Sequence, residues 1–459
     1  MFRFKKTVAA ALCAAVGFGC IVGCDNKKAN GDVSVVTIWS NNSHSKSVYE
    51  KLISEYNETT GKEKGIKIDY IVKEGETMSQ NIDIAIQNGQ LPEMFSWGGV
   101  RTLCEKDAIM PIEELNGMNE VIADYKGLAV DNVHSFKGKL YSVPTGATTQ
   151  ALVYNKEMFR EAGLVDENGE PKPPETFDEV REYAKKLTNP SKKQFGIIIP
   201  IKWSTMFNED IVYSMLPSCG NIGYDPVTGV YDYSSLVPIL NCYMGMKNDG
   251  SVFPGADGID NDQARAYFAN GNVGMKFAWS YDVGVYNDQF AAKCEWGVAP
   301  VPVIDKNAKK YKQRMAMGHS FWVSKTATEK VPAEKLVEVY KFFLSDKFIT
   351  ECYKQGVSAP VKFEKVKDIK LDNPKKGWVE FCKLAEVSIA SCPEPQKDIT
   401  GQKTMKESFL NDVWSGNKTP EQFCSEYTKI MNDGVKKYYE IHTDEDVNEY
   451  IRKNWNSER

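Results

Sequence analysis

Apolar and polar positions first fall into a strand-like run in "VSVVTIW" (33–39), which ends in the polar loop "SNNSHS". In "VYEKLISEYNETTG" (48–61) the apolar residues recur at helical spacing, and Gly61 supplies a stop signal. "IKIDYIV" (66–72) alternates again, "MSQNIDIAIQNGQ" (78–90) returns to the helical period, and "EMFSW" (93–97) predicts another short strand. This rhythm predicts a parallel sheet with crossover helices. "YSVP" and "ALVYN" predict further strands around 141–155, and "TFDEVREYAKKLTN" and "AEKLVEVYKFFLSD" predict helices. From about Pro374 onward the pattern is nearly all helical. No internal repeat and no low-complexity linker interrupts it, so the chain reads as α/β with lobes connected more than once.

The N-terminus follows a different pattern. Arg3, Lys5 and Lys6 precede an uncharged run from Thr7 to Gly23, and charge begins at Asp25. A basic start, a short apolar stretch and small residues before a cut form a secretory signal, and the run is short for a membrane-spanning helix. Ile21-Val22-Gly23-Cys24 resembles the lipobox of bacterial lipoproteins, in which the cysteine thiol is acylated and becomes the mature N-terminus. An ordinary cleaved signal with an incidental cysteine is the alternative. The polar stretch that follows reads as a flexible tether. Residues 1–23 are therefore expected to be a lipoprotein signal peptide and 24–32 a tether, with Cys24 lipidated.

Composition narrows the functional classes. The formal charge is −5 over 459 residues, and removal of residues 1–23 takes away only basic groups. Mild acidity without a basic stripe argues against nucleic acid. The length exceeds one ordinary core, so two lobes are expected. Beyond Cys24, eight cysteines are widely and irregularly spaced, without a C-x-x-C pair or a histidine at zinc-ligand distance. They read as small buried hydrophobes, and no metal or cofactor is implied.

Catalytic signatures are scarce among only four histidines. "GHSFW" (318–322) starts like a nucleophile elbow, but Trp322 stands where the second glycine is needed. "GNVGMK" (271–276) lacks phosphate-loop spacing. "DGIDND" (257–262) lacks the glycine and distal glutamate of a calcium loop, and reads more simply as an acidic helix start. Aromatic residues at strand ends are the stronger signal. Trp39, Trp97, Trp203 and Trp279 sit beside Ser, Asn, Thr or Asp, and ligands of open α/β sheets bind outside the strand ends.

Longer stretches carry a family likeness. "GKLYSVPTGATTQALVYNKEMFREAGL" (138–164) and "PPETFDEVREYAKKL" (173–187) resemble the segment where bacterial extracellular solute-binding proteins of the carbohydrate ABC importer type first cross between lobes. "NGQLPEMFSW" (88–97), "YFANGNVGMKFAWSYDVG" (267–284), "WGVAPVPVID" with "MAMGHSFWVSKTATEK", and "VWSGNKTPEQFCSEY" (413–427) resemble further motifs of that family in the expected order. Glu93 replaces its usual aspartate and Gly274 its usual alanine.

The resemblance implies a two-lobed α/β fold of the periplasmic-binding-protein (Venus flytrap) type with C-terminal bracing helices. The first lobe is expected over 33–145 and 285–345, and the second over 146–284 and 346–459. It also implies no catalytic residues, but reversible capture of a carbohydrate, expected to be an oligosaccharide, by lobe closure and its delivery to the membrane subunits of an ABC importer. The protein would be a monomer tethered to the extracytoplasmic face of the membrane through Cys24. A lipid-anchored glycan-active enzyme and a ligand-sensing partner of a receptor are the competing readings. Trp279 matches the place where a cleft tryptophan is often found, and an indole can carry the apolar face of a pyranose. Asp282 would accept sugar hydroxyls. Asn41 and Ser43, on the loop after Trp39, would form the opposite wall with Trp97 and Thr148, and Trp203 would add a further aromatic. On the other reading, Trp279 packs in the core and Asp282 caps the following helix.

Overall fold

The computed structural model describes residues 33–73, 75–220, 222–306, 314–390 and 392–454. The signal peptide, Cys24 and the tether lie outside the described residues.

The first lobe is built on the strand Ser34–Ser40, which pairs in parallel with Ile66–Val72 from Ser34↔Ile66 to Ser40↔Val72. Its other edge pairs in parallel with Met94–Phe95, and Trp322–Val323 closes the sheet antiparallel to that strand. Alternation makes Val36 and Ile38 fully buried while Val35 faces outward. The helix Lys46–Glu58 supplies Leu52, Ile53 and Tyr56 to the same core. The predicted stop at Gly61 is displaced to Gly65, which has φ +63° and caps the short helix Thr60–Lys64. Gly61 serves packing instead, because a Cβ there would lie 2.7 Å from the Ile66 carbonyl oxygen.

The sequence signals at 141–155 merge into one twelve-residue strand, Pro144–Asn155, that belongs to both lobes. Its first half pairs with Arg314–His319 and Ala359–Pro360. Its second half pairs with Val273–Trp279 and Trp296–Ala299. Three chain segments thus cross together between the lobes, as a two-lobed α/β fold with a multi-strand hinge requires.

The second lobe adds the strand Phe195–Ile197, parallel to Val273–Trp279, and layers helices on both faces. Its helix Phe177–Leu187 starts as the sequence indicates, with the Thr176 hydroxyl accepting from the Glu179 amide at 3.2 Å. The acidic stretch at 257–262 is a helix start, with Asp260 and Gln263 forming a capping box for Asn261–Ala269. The C-terminal region is less uniformly helical than expected. Pro393 and Pro395 fall in an irregular stretch between Ile389–Ala390 and the helices from Met405 onward, since proline cannot supply the helical amide.

The lobe boundaries also differ from the expected division. Val285, Tyr286 and Trp296 pack with Phe268, and Val301 with Ile199, so 285–301 belongs with the second lobe. The cause is pairing of Trp296–Ala299 with the far half of the crossing strand. Phe348, Ile349 and Cys352 join the first-lobe core, where the Phe348 ring meets Tyr49 edge-on at 4.9 Å.

A C-terminal strap makes a second connection. The helix Pro420–Ile441 packs on the second lobe, yet Arg101 of the first lobe donates two hydrogen bonds to the Glu445 carboxylate and one to the Tyr438 hydroxyl. Nearby, Asn132 Nδ2 donates to the Tyr450 hydroxyl at 2.8 Å. Among the described residues eight cysteines stand outside any disulfide, six of them buried, and no helix is long and apolar enough to cross a membrane.

Candidate functional site

A cleft of about 1280 Å³ lies between the lobes. Its first-lobe wall comes from the loops that follow the parallel strands, where the chain must leave the sheet and expose polar side chains. Asn41 and Ser43 follow Ser34–Ser40, and Ser96 and Trp97 follow Met94–Phe95. Ser96 fixes Asn41 in two ways: its hydroxyl donates to Asn41 Oδ1 at 3.0 Å and accepts from the Asn41 amide at 3.3 Å. Thr148 lines the floor from the hinge half of the crossing strand, and Trp203 lines the second-lobe side. The structure therefore brings Asn41, Ser43, Trp97, Thr148 and Trp203 to one cavity.

The other predicted residues sit elsewhere. Trp39 is half-buried beside Trp97 in a satellite core, with Lys73 Nζ 4.1 Å above its ring, and does not line the cleft. Trp279 is 5% exposed and stands behind the wall. Its indole N–H donates to Asp210 Oδ1 at 2.9 Å, and burial raises the Asp210 carboxyl to about pKa 7. Asp282 is fully buried, so the expectation that it receives sugar hydroxyls gives way to an internal role. It accepts from Arg265 Nε at 2.9 Å and from the Trp279 amide at 3.3 Å, while Lys276 Nζ lies 3.9 Å away. The reason is length: every residue of Val273–Trp279 is buried, so the strand has not yet emerged where the tryptophan falls.

Two residues further on, Tyr281 does emerge. It lines the cleft, with Trp279 nearly parallel at 6.2 Å and the Arg265 guanidinium 5.7 Å from its ring centroid. Across the cleft, the first-lobe His44 stacks on Tyr281 at 5.6 Å and 9°. Sequence reading passed over Tyr281, His44 and Asn261. The usable signal was the position of Tyr281 and His44 just past strand ends, which tryptophan-centred reasoning ignored.

The electrostatics of the walls are largely self-neutralised. Lys106 pairs with Asp83 at 2.6 Å, and Arg265 pairs with Asp262 at 2.6 Å as well as with Asp282. His44 is held below its ordinary pKa by burial and then by Arg265, which favours the neutral imidazole. Among the described residues no group of histidines, cysteines and carboxylates could hold a metal ion. The arrangement can bind an uncharged polar molecule through rings, hydroxyls and amides.

Comparison with known proteins bears on this architecture. The family model described as bacterial extracellular solute-binding protein matches residues 41–348. The maltotriose-binding protein of Pyrococcus abyssi is 24% identical over 280 residues, covering 60% of this chain and 55% of that protein. The sn-glycerol-3-phosphate-binding periplasmic protein UgpB of Pectobacterium atrosepticum is 24% identical over 360 residues, covering 74% of this chain and 77% of that protein. The chain spans about half the length of several curated relatives it matches. The maltose/maltodextrin-binding domain MalE of Bdellovibrio bacteriovorus, solved with maltotriose, superposes with a TM-score of 0.66 at 15% identity, over 88% of this chain and all of that one. That likeness shares the two-lobed fold. The family match spans about two thirds of the sequence, from the first cleft loop into the first-lobe helix Asp346–Lys354. The chain belongs to the bacterial extracellular solute-binding protein family.

Proposed function

We propose that this protein captures an extracellular carbohydrate, an oligosaccharide, between its lobes and delivers it to the membrane subunits of an ABC importer, without transforming it. The observation that carries the carbohydrate reading is the wall chemistry of the cleft. Aromatic rings (Trp97, Trp203, Tyr281) stand among hydroxyl and amide groups, and the two cationic lining side chains, Lys106 and Arg265, are already ion-paired. A pyranose offers apolar faces to rings and hydroxyls to polar edges, whereas a phosphate ester needs a free cation. The charge inventory therefore favours a neutral sugar over the glycerol phosphate named for one relative. Tyr281 takes the stacking role first assigned to Trp279. At 5.6 Å the His44 ring leaves no room for a sugar between it and Tyr281, since two van der Waals contacts of about 3.5–4 Å need more. Entry of a ligand displaces the imidazole, and closure follows from contacts to both lobes.

The test is a thermal-shift screen with maltotriose, other neutral oligosaccharides and sn-glycerol 3-phosphate. Ligand at 100 times Kd stabilises by about 2.7 kcal/mol, so a specific sugar raises the melting temperature. A response to the phosphate ester alone, or hydrolysis of the bound sugar over hours, contradicts the proposal.

The same reading places a monomer on the outer membrane face through Cys24, supported by the Ile21-Val22-Gly23-Cys24 sequence. Cys24→Ala is expected to release the protein to the medium or leave it unprocessed, with sugar affinity unchanged. Retention of that variant on membranes after a high-salt wash contradicts the anchor.

A further inference from the structure

We propose that His44 and Asn261 form a two-jaw hydroxyl clamp, one hydrogen-bonding group from each lobe, that reads the captured carbohydrate beside Tyr281. This rests on the carbohydrate reading above.

Asn261 opens the second-lobe helix Asn261–Ala269 and lines the cleft, yet it is only 6% exposed. Its Oδ1 is buried and has no hydrogen-bond partner. The helix does not need it as a cap, because Asp260 accepts from the Gln263 amide at 2.9 Å and Gln263 Oε1 accepts from the Asp260 amide at 3.1 Å. His44 comes from the facing first-lobe loop and also lines the cleft. Its Nδ1 is likewise buried without a partner while its ring lies on Tyr281. Buried polar atoms are almost always paired, and one left orphaned weakens the fold. Two orphans on opposite walls of one cleft, flanking its aromatic platform, are accounted for together if a bound molecule completes them.

The chemistry of the pair selects that molecule. An amide end and a neutral imidazole together provide donor and acceptor capacity without charge. A hydroxyl both donates and accepts, so neighbouring sugar hydroxyls satisfy both jaws. An anionic group finds no unpaired cation beside them, because the Arg265 guanidinium near His44 is already paired with Asp262 and Asp282. Because one member sits on each lobe, a ligand that engages both ties the lobes together, and closure becomes conditional on the hydroxyl pattern.

The test uses the full mature chain with Asn261→Leu, His44→Phe and His44→Gln. Without any sugar, the first two variants are expected to melt at or above the wild-type temperature, because each removes an unpaired buried polar atom. With maltotriose, or the neutral oligosaccharide giving the largest shift in the screen, calorimetry should show each weakened at least tenfold. His44→Gln, which keeps a hydrogen-bonding group, should recover part of that loss. Sugar-free melting several degrees lower means these side chains serve the fold and overturns the clamp. So do variants that bind as tightly as wild type. A wild-type chain that binds no neutral sugar instead overturns the carbohydrate reading beneath it.

Discussion

Replacement of Trp279 by alanine separates a wall residue from a residue behind the wall. The side chain is 5% exposed and closes against the second-lobe interior, so truncation carries the cost of a large buried aromatic, about 3–5 kcal/mol. It also removes the N–H that Asp210 accepts, leaving a 3% exposed carboxyl without that donor, which adds about 1–3 kcal/mol. The sum is roughly 4–8 kcal/mol. With an unfolding entropy near 2.1 cal/mol/K per residue, a chain of this size loses about 1 °C per kcal/mol. The ligand-free variant should therefore melt about 4–8 °C below wild type by calorimetry, with a matching fall in the urea midpoint. A cleft-lining tryptophan would instead abolish binding and leave the ligand-free melting temperature unchanged. That second outcome, a shift within 1 °C together with lost sugar binding, refutes the placement of Trp279 behind the wall.

Tyr281→Ala should show the converse behaviour, with ligand-free melting changed little and the sugar-induced shift lost; a retained shift contradicts the platform role. Acidification should open the ligand-free cleft, because burial and Arg265 lower the His44 pKa in the stacked arrangement against the opposing pull of Asp282 and Asp262. The stacked form is then favoured fully above pH 6.5 and loses that advantage as pH falls below it. Small-angle scattering should show expansion between pH 7.5 and 5 in wild type but not in His44→Phe, and equal profiles refute the linkage. Asp210, raised to about 7 by burial, binds its proton more tightly folded than unfolded, so its contribution to stability declines as pH rises from 4 to 7. Asp210→Asn should flatten that slope in urea titrations; an unchanged slope assigns it to other groups. Glu445→Gln should loosen the strap and increase protease cleavage within 442–454, and unaltered cleavage argues against a restraining role.

Much of the fold was legible because it follows from periodicity. The alternation of Val36 and Ile38, the helical spacing of Leu52, Ile53 and Tyr56, and the Thr176 cap each specify their element locally. The lobe assignment of 285–301 was not, because pairing of Trp296–Ala299 with a strand some 140 residues earlier leaves no local trace. At the cleft, Asn41 and Trp97 follow from strand ends, where polar side chains leave a sheet, whereas Thr148 lies within the crossing strand Pro144–Asn155. Tyr281 and Trp279 differ only by where a strand stops, and boundaries are set by partners such as Gln150, which faces Trp279. The Arg265–Asp282 pair joins residues on separate elements, so Asp282 looked free when read alone.

The strap changes what kind of motion the hinge permits. A clamshell joined along one side can swing to any angle its strands tolerate. Here the lobes are pinned twice, at the three crossing segments and at the Arg101–Glu445 and Asn132–Tyr450 contacts. Two bodies held at two separate places keep both attachments only by rotating about the line through them. While the strap holds, one screw-like axis governs relative motion, and the wide gape reached by a singly hinged pair requires the C-terminal attachment to let go first. Glu445 and Tyr450 thereby become a gear stop for a cleft to which they contribute no wall.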